Sequence, residues 1–249
     1  MTRRVAIMQP TFLPWLGYFA LLDAVDEFVY LDDVQLVRRS WHVRNRIRTG
    51  GGTAMVSLNV VGKPSRPTIA EARLARTGFE KALARTISSA LAKAPYRAMV
   101  ESLIDEAFTA AGDSLVALNI GLVEGVARRV GIGGRRRRSS ELGIPAMDKS
   151  DRLYAICRTL GAEEYLSPVG SAAYLAESDP FAASSIALRF LNYEPRPYPQ
   201  APGTPFESHL AAIDALAWLG PDEFLPLVRS GIGRSMTLDE VTRPRESAA

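Results

Sequence analysis

Val5-Ala6-Ile7-Met8 is a short apolar run stopped by Gln9-Pro10. A run of this length, bounded by turn residues, reads as a strand of a parallel sheet buried on both faces. Pro14 can open a helix, because its missing N–H costs nothing in a first turn. Leu16, Phe19 and Leu22 then recur at helical spacing between Trp15 and Ala24. Glu27 to Leu31 is a second strand, ended by Asp32-Asp33. Strand, proline-rich loop, helix and strand in succession form a βαβ unit, whose crossover should be right-handed.

The pattern then changes. Residues 34–52 are polar and basic and end in Gly50-Gly51-Gly52, a loop long enough to suspect function. Thr53 to Val60 and Thr68 to Leu74 are strand candidates, and Gly62-Lys63-Pro64 between them predicts a hairpin. From Thr77 to Gly131 the spacing predicts three helices, broken near Pro95 and Gly112-Asp113. Ser114 caps the third, whose Leu115, Leu118, Leu122 and Val126 form a core stripe. Gly133-Gly134 reads as a joint, and Arg135 to Arg138, which could hold a phosphate, read rather as a solvated loop. Ser150 should cap a helix through Leu160. Glu164 to Leu166 and Ile186 to Leu191 are further strands, and residues 193–206 are extended and proline-rich. A last helix is expected from Glu207, carrying His209, to Leu219, with Gly220-Pro221 as its stop and a short helix after it.

The whole predicts an α/β protein with a mostly parallel Rossmann-like sheet and an added helical region. Residues 1–76 form an N-terminal α/β half bearing the motif-rich crevice. Residues 77–132 form the helical region. Residues 133–230 form a second α/β half completing the same domain, and residues 231–249 a C-terminal tail.

Composition narrows the function classes. Of the 249 residues, 47% are hydrophobic and 23% charged, which is ordinary for a globular chain. Thirty basic residues nearly cancel twenty-seven acidic ones, for a net charge of +3. That excess is too small for a dedicated nucleic-acid binder. One cysteine excludes an intrachain disulfide, and two histidines beside it argue against a zinc site. Cys157 sits in an apolar helical stretch and reads as a buried hydrophobe. No apolar run reaches the ~18–20 residues of a membrane span. The N-terminus lacks the apolar segment of a signal peptide, so a cytoplasmic location is the expectation.

In open parallel sheets, ligands bind beyond the carboxyl ends of the strands. Two such ends are legible: Gln9-Pro10 with its following loop, and Asp32-Asp33-Val34-Gln35. Gln9, Tyr18, Asp32, Asp33 and Gln35 are therefore expected to converge on one crevice. The helix starting near Trp15 should aim its N-terminus there, an end that favours anions. Adjacent residues on an extended backbone face opposite ways, so one aspartate should enter the crevice while the other caps a turn. Trp41, His42, Arg44, Asn45 and Arg46 follow closely. Arginine forks bind carboxylate or phosphate in bidentate fashion, and Trp41 offers a stacking surface. His42 lies inside this polar segment and is better placed for chemistry than His209.

The stretches Ile7-Met8-Gln9-Pro10-Thr11-Phe12-Leu13-Pro14-Trp15-Leu16-Gly17-Tyr18-Phe19 and Leu31-Asp32-Asp33-Val34-Gln35, with Trp41 and Arg44-Asn45-Arg46-Ile47, resemble the WbqC-like family. So do Ser139-Ser140, Asp151-Arg152-Leu153, Leu160-Gly161-Ala162, Tyr165-Leu166-Ser167, Tyr174-Leu175, Tyr198-Pro199-Gln200, and Ile213-Asp214 with Gly220. The likeness runs to about residue 225. It differs at Met8, where the family often has His. It differs again at Ser167-Pro168 and Gly170-Ser171, where the family often has Ser-Gly followed by a glycine pair. The resemblance adds Pro10, Trp15, Ser167, Tyr174, Tyr198 and Gln200 as residues lining a substrate site. It implies a role in acylating an amine, such as that of an amino sugar, with an amino acid such as glycine, in polysaccharide or natural-product pathways. The strand, proline-rich loop, helix and strand are also similar to the HIGH-motif nucleotidyltransferase fold, which includes pantothenate synthetase-like ligases; the histidines of that motif are absent.

Three functions fit these residues. The first is an acyl or aminoacyl transferase forming an amide with an amine of a sugar or small metabolite. Asp32 or Asp33 would be its base, and Gln9, Gln35 or Asn45 its oxyanion donors. Arg44 and Arg46 would hold the anionic part of a substrate. With no Ser–His–Asp set apparent, direct transfer is expected rather than an acyl-enzyme. The donor would be a phosphopantetheine-linked acyl group, with an acyl- or peptidyl-carrier protein as partner, or an adenylate made from ATP. The second is a non-catalytic protein binding a nucleotide-sugar or a carrier-bound intermediate. The third is an ATP-dependent amide ligase on the nucleotidyltransferase plan.

Overall fold

The computed structural model describes residues 2–37, 39–61 and 66–243. In chain order the elements are β1 (Arg4–Met8), α1 (Leu16–Asp23), β2 (Glu27–Tyr30), β3 (Arg44–Thr49) and β4 (Gly52–Ser57). Three helices follow, α2 (Phe79–Ala90), α3 (Arg97–Ala111) and α4 (Leu115–Val130). Then come β5 (Arg135–Arg138), α5 (Lys149–Thr159), β6 (Glu164–Pro168), α6 (Ala172–Glu177), β7 (Ala187–Leu191), α7 (Ile213–Ser230) and α8 (Leu238–Thr242).

Five strands form one sheet in the order β5-β2-β1-β6-β7, every neighbouring pair parallel. Counted along the chain, that order is 3-2-1-4-5, the doubly wound Rossmann-like arrangement. The α/β class expected from the apolar runs is therefore the observed one. Alternate residues of the central strands serve two cores, as a two-residue period requires. Ala6, Phe28 and Tyr30 face the larger core, with α1, α3, α4 and α7. Val5, Ile7 and Val29 face the smaller one, with α5 and α6. No helix among the described residues is long and apolar enough to cross a membrane.

Four local expectations are corrected. The hairpin is β3 with β4, antiparallel from Arg44↔Ser57 to Thr49↔Gly52, turning at Gly50-Gly51. Beyond it, Val60↔Leu74 and Gln35↔Thr68 are isolated bridges, and the Gly62-Lys63-Pro64 turn lies outside the described residues. The glycines supply the turn, and the arginines of β3 hid its alternation. Arg135 to Arg138 form an edge strand, not a loop. Arg136 lies 3.4 Å from Glu124, Arg137 pairs with Glu27, and Arg138 binds Asp32 at 2.6 Å. Such a charged edge also discourages further strand pairing.

At the start of α5 the capping position is Asp148, not Ser150. Finally, His209 precedes the last helix. It lies in a loop with φ 57°, and α7 begins at Ile213. The stop expected at Gly220 is present as a non-helical residue (φ 76°, ψ 179°), and the expected second helical stretch follows it within α7. Only glycine fits there, since an added Cβ would stand 2.4 Å from the Tyr96 ring.

Candidate functional site

In this strand order the chain reverses direction across the sheet between β1 and β6, and the crevice at their carboxyl ends is where doubly wound sheets bind ligands. Gln9 follows β1 directly, and Ser167 sits near the end of β6. Three groups of polar side chains collect at or beside this edge.

The first group is a chain of three side chains. Gln9 Oε1 lies 2.7 Å from His42 Nε2, and His42 Nδ1 lies 2.8 Å from Ser40 Oγ. With a carbonyl oxygen facing Nε2, that nitrogen carries the ring hydrogen, and Nδ1 is left to accept from the Ser40 hydroxyl. The same hydroxyl is 2.6 Å from the Val37 carbonyl, so its hydrogen has two acceptors. His42 is buried, and burial pushes its pKa down to about 4. The imidazole is thus neutral at physiological pH. Tyr18 donates to the Gln9 carbonyl at 3.3 Å. Asn119 of α4, fully buried, donates to the Pro10 and His42 carbonyls at 3.1 and 2.9 Å. One amide thereby fastens the loop after β1 to the loop carrying His42.

The second group is a floor of anions. The Asp32 carboxylate, with no exposed surface, accepts from Arg138 Nε at 2.6 Å, Ser139 Oγ at 3.2 Å, Ser140 Oγ at 2.9 Å and the Ser140 backbone at 3.0 Å. Its backbone N–H donates to Ser139 Oγ at 3.1 Å. Asp33 accepts from Ser139 Oγ at 2.6 Å and pairs with Arg152, which also donates to the Pro145 carbonyl at 2.9 Å. The two aspartates share the Ser139 hydroxyl rather than separating completely.

The third group lies under the segment before α7. Trp15 stacks on His209 with ring centroids 4.7 Å apart and meets Tyr193 edge-on at 5.4 Å. Gly17 makes room for the Trp15 ring, which would lie 2.4 Å from an added Cβ. Arg46 donates to the Ser208 and His209 carbonyls, each at 3.3 Å, and sits 3.6 Å from Glu207. Tyr198 donates to Asp214 at 2.8 Å. The other Asp214 oxygen is buried without a partner, and burial lifts its pKa to about 6. Gln200 closes the 200–207 loop with two hydrogen bonds of 2.9 Å to the Glu207 backbone.

Other sequence-selected residues are placed as follows. Asn45 spends both amide hydrogens on the Phe12 and Leu13 carbonyls, at 3.1 and 2.8 Å. The Arg44 side chain is half-buried, with no hydrogen-bond or ion-pair partner among the described residues. Gln35 and Trp41 are exposed, Trp41 by 52%. Ser167 is buried, bonded to the Tyr165 hydroxyl at 3.1 Å and to Ser171 at 2.6 Å. Tyr174, on α6, is half-buried, and burial raises its pKa. Cys157 is fully buried, and burial pushes its thiol well up.

The structure therefore gathers Gln9, Tyr18 and His42 in one group, Asp32 and Asp33 in a second, and Trp15, Arg46 and Tyr198 in a third. Sequence reasoning missed Ser40 as a partner of His42. It also missed the donors Arg138, Ser139, Ser140 and Arg152 around the aspartates. The Ser-x-His spacing is too short and common to signal anything, whereas two adjacent serines after an arginine run were visible but had no partner in the sequence.

Residues 9–225 match the model of the WbqC-like protein family. The chain is also 30% identical over 227 residues to the uncharacterized protein Rv1507c of Mycobacterium tuberculosis (strain ATCC 25618 / H37Rv), covering 88% of this chain and 95% of that one. No solved structure matches the chain. With a match over most of its length, this chain belongs to the WbqC-like protein family.

Proposed function

We propose that the protein is an amide-forming transferase, passing an activated acyl or aminoacyl group to an amine of a sugar or small metabolite. The observation that supports this best is the buried His42 imidazole held between Gln9 and Ser40 beside the switch point. Acyl transfer to an amine must shed a proton from nitrogen, and a neutral imidazole accepts one where an imidazolium does not. The base role expected of Asp32 or Asp33 passes to His42 in this reading. Asp32 already accepts four hydrogen bonds and has no exposed surface, so it positions the Arg138–Ser140 segment. Arg44, with no partner among the described residues, is a cation available to an anionic donor or acceptor, while Arg46 is committed to the 207–209 segment. Trp41 offers its exposed ring for stacking.

The donor in this proposal is a phosphopantetheine thioester, delivered by a carrier protein, or an adenylate, in which case ATP is consumed. The test uses glycyl-pantetheine thioester, and separately glycine with ATP, against a panel of amino sugars, with product mass as readout. An amide product, reduced about a hundredfold or more in His42→Gln, is the expected result. Saturable binding of donor with no amide from any pairing would replace the transferase with a carrier-intermediate binding protein.

A further inference from the structure

We infer that Ser40 is the nucleophile of this site and carries the acyl group as an ester between donor and amine. The inference rests on the acyl-transfer reading above and departs from direct transfer. A serine hydroxyl is a weak nucleophile until a base stands within hydrogen-bond reach and a third group orients that base. All three parts are present: Ser40 Oγ 2.8 Å from His42 Nδ1, and His42 Nε2 2.7 Å from Gln9 Oε1. An amide serves as the third member in Cys–His–Asn enzymes on an unrelated fold, so a carboxylate is not required.

The surroundings suit the role. Ser40 is half-buried and reachable, whereas His42 and Asn119 behind it are buried. Asn119 holds the His42 carbonyl, so the imidazole is anchored through its own backbone. Arg39, immediately before Ser40, has φ 59°, a left-handed conformation that costs a non-glycine residue energy and is found disproportionately at functional sites. Ser40 Oγ also donates toward the Val37 carbonyl and accepts from the His42 backbone N–H at 3.3 Å, both within its own loop. Cys157, the chain's single thiol, is fully buried and offers no rival nucleophile.

The chemistry balances without an oxidant or metal. In the first half, Ser40 Oγ bonds to the acyl carbon of the donor while His42 Nδ1 takes the hydroxyl proton. The carbon–sulfur bond of a thioester breaks, and His42 returns the proton to the departing thiolate. In the second half, the amine nitrogen attacks the Ser40 ester and His42 takes its proton. The bond from acyl carbon to Ser40 Oγ then breaks, and the proton returns to Oγ. One thioester and one amine become one amide and one thiol.

p-Nitrophenyl acetate tests the nucleophile without any amine. The full chain should release a burst of about one p-nitrophenolate per chain and gain one acetyl group, which peptide mapping puts on Ser40. Ser40→Ala should lose the burst, and His42→Gln should slow it about a hundredfold or more. Ser40→Cys should regain a burst through a thioester, which guards against Ser40→Ala merely failing to fold. Acetyl on another residue, or a burst undiminished in Ser40→Ala, overturns the inference, as does the absence of any burst from the wild-type chain. The two readings separate cleanly. Glycine transfer at the wild-type rate in folded Ser40→Ala would remove the ester and leave direct transfer standing. Acetylated Ser40 with no amine ever acylated would keep the nucleophile and remove the amide-forming function.

Discussion

Two polar clusters sit at the same edge of the sheet and are built on opposite principles. Around Asp32, one carboxylate with no exposed surface lies within reach of four donors, and its neighbour Asp33 shares the Ser139 hydroxyl with it and pairs with Arg152. Around His42 there is slack. Each ring nitrogen has one side-chain partner, burial keeps the ring neutral, and Ser40 is only half-buried. A saturated cluster holds shape, because every change leaves a buried group unpaired. An unsaturated one can exchange a proton without breaking anything else. The proposed function follows this difference, giving the aspartates a structural part and the histidine a chemical one.

The comparison breaks most visibly if substitutions do not sort this way. His42→Gln should lower amide formation by about 10²–10⁴-fold while thermal melting shows a folded protein. Asp32→Ala should act first on stability. It removes the carboxylate partner of Arg138 and Ser140, leaving Ser139 to Asp33, and should cost about 3 kcal/mol, read as a lowered urea midpoint. An Asp32→Ala protein of native stability with abolished turnover would reverse the assignment.

Titration sharpens the same contrast. His42 is held neutral: below about pH 6.5 the unfolded chain binds a proton that the folded chain refuses until about pH 4. Its contribution to stability is present above 6.5 and lost as pH falls toward 4. Asp214 works the other way. The folded chain keeps until about pH 6 a proton that the unfolded chain releases near 3.8, so stability is lost as pH rises through that window. Between pH 4 and 6 the two slopes oppose each other, each at most about 1.4 kcal/mol per pH unit. Urea melts across this range should tilt in opposite directions relative to wild type: His42→Gln removes the acid-side loss, and Asp214→Asn removes the compensating gain. Parallel shifts in the two variants would show that neither group is held as described. The smallest effect is expected from Gln9→Ala. Losing the group that fixes the imidazole tautomer should slow transfer by about tenfold, the equivalent of one hydrogen bond, with the acid limb of the rate profile displaced.

Legibility followed packing. β1, α1 and β2 were readable because their burial is apolar and continuous, so residue type alone reports it. β3 was not, because its buried Asn45 and Arg48 and its half-buried Arg44 and Arg46 look solvated in sequence. The partners of Asn45 and Arg46, the Phe12 and Leu13 carbonyls and the segment before α7, are distant in the chain. The same holds for Arg135 to Arg138, a charge run in sequence whose partners Glu27 and Asp32 lie over a hundred residues away in the chain. Leu210 to Leu219 are mostly apolar and extend the helical pattern back over His209, whereas the positive φ at His209 turns the chain just before α7. Among the candidate site residues, Gln9, Asp32, Asp33 and His42 were visible as types at strand ends, but their roles were not.

The amino-acid sequence by itself determined the βαβ start, the parallel α/β class, the family and the collection of polar groups after the first two strands. These depend on local periodicity and on hydrophobic runs that must be buried wherever the chain goes. Only the tertiary structure decided which polar group bonds to which. It set Gln9 against His42 across 33 residues of chain and Asp32 against Ser139 across 107. Hydrogen bonds are short and directional, so their pairing depends on positions in space that no local pattern records.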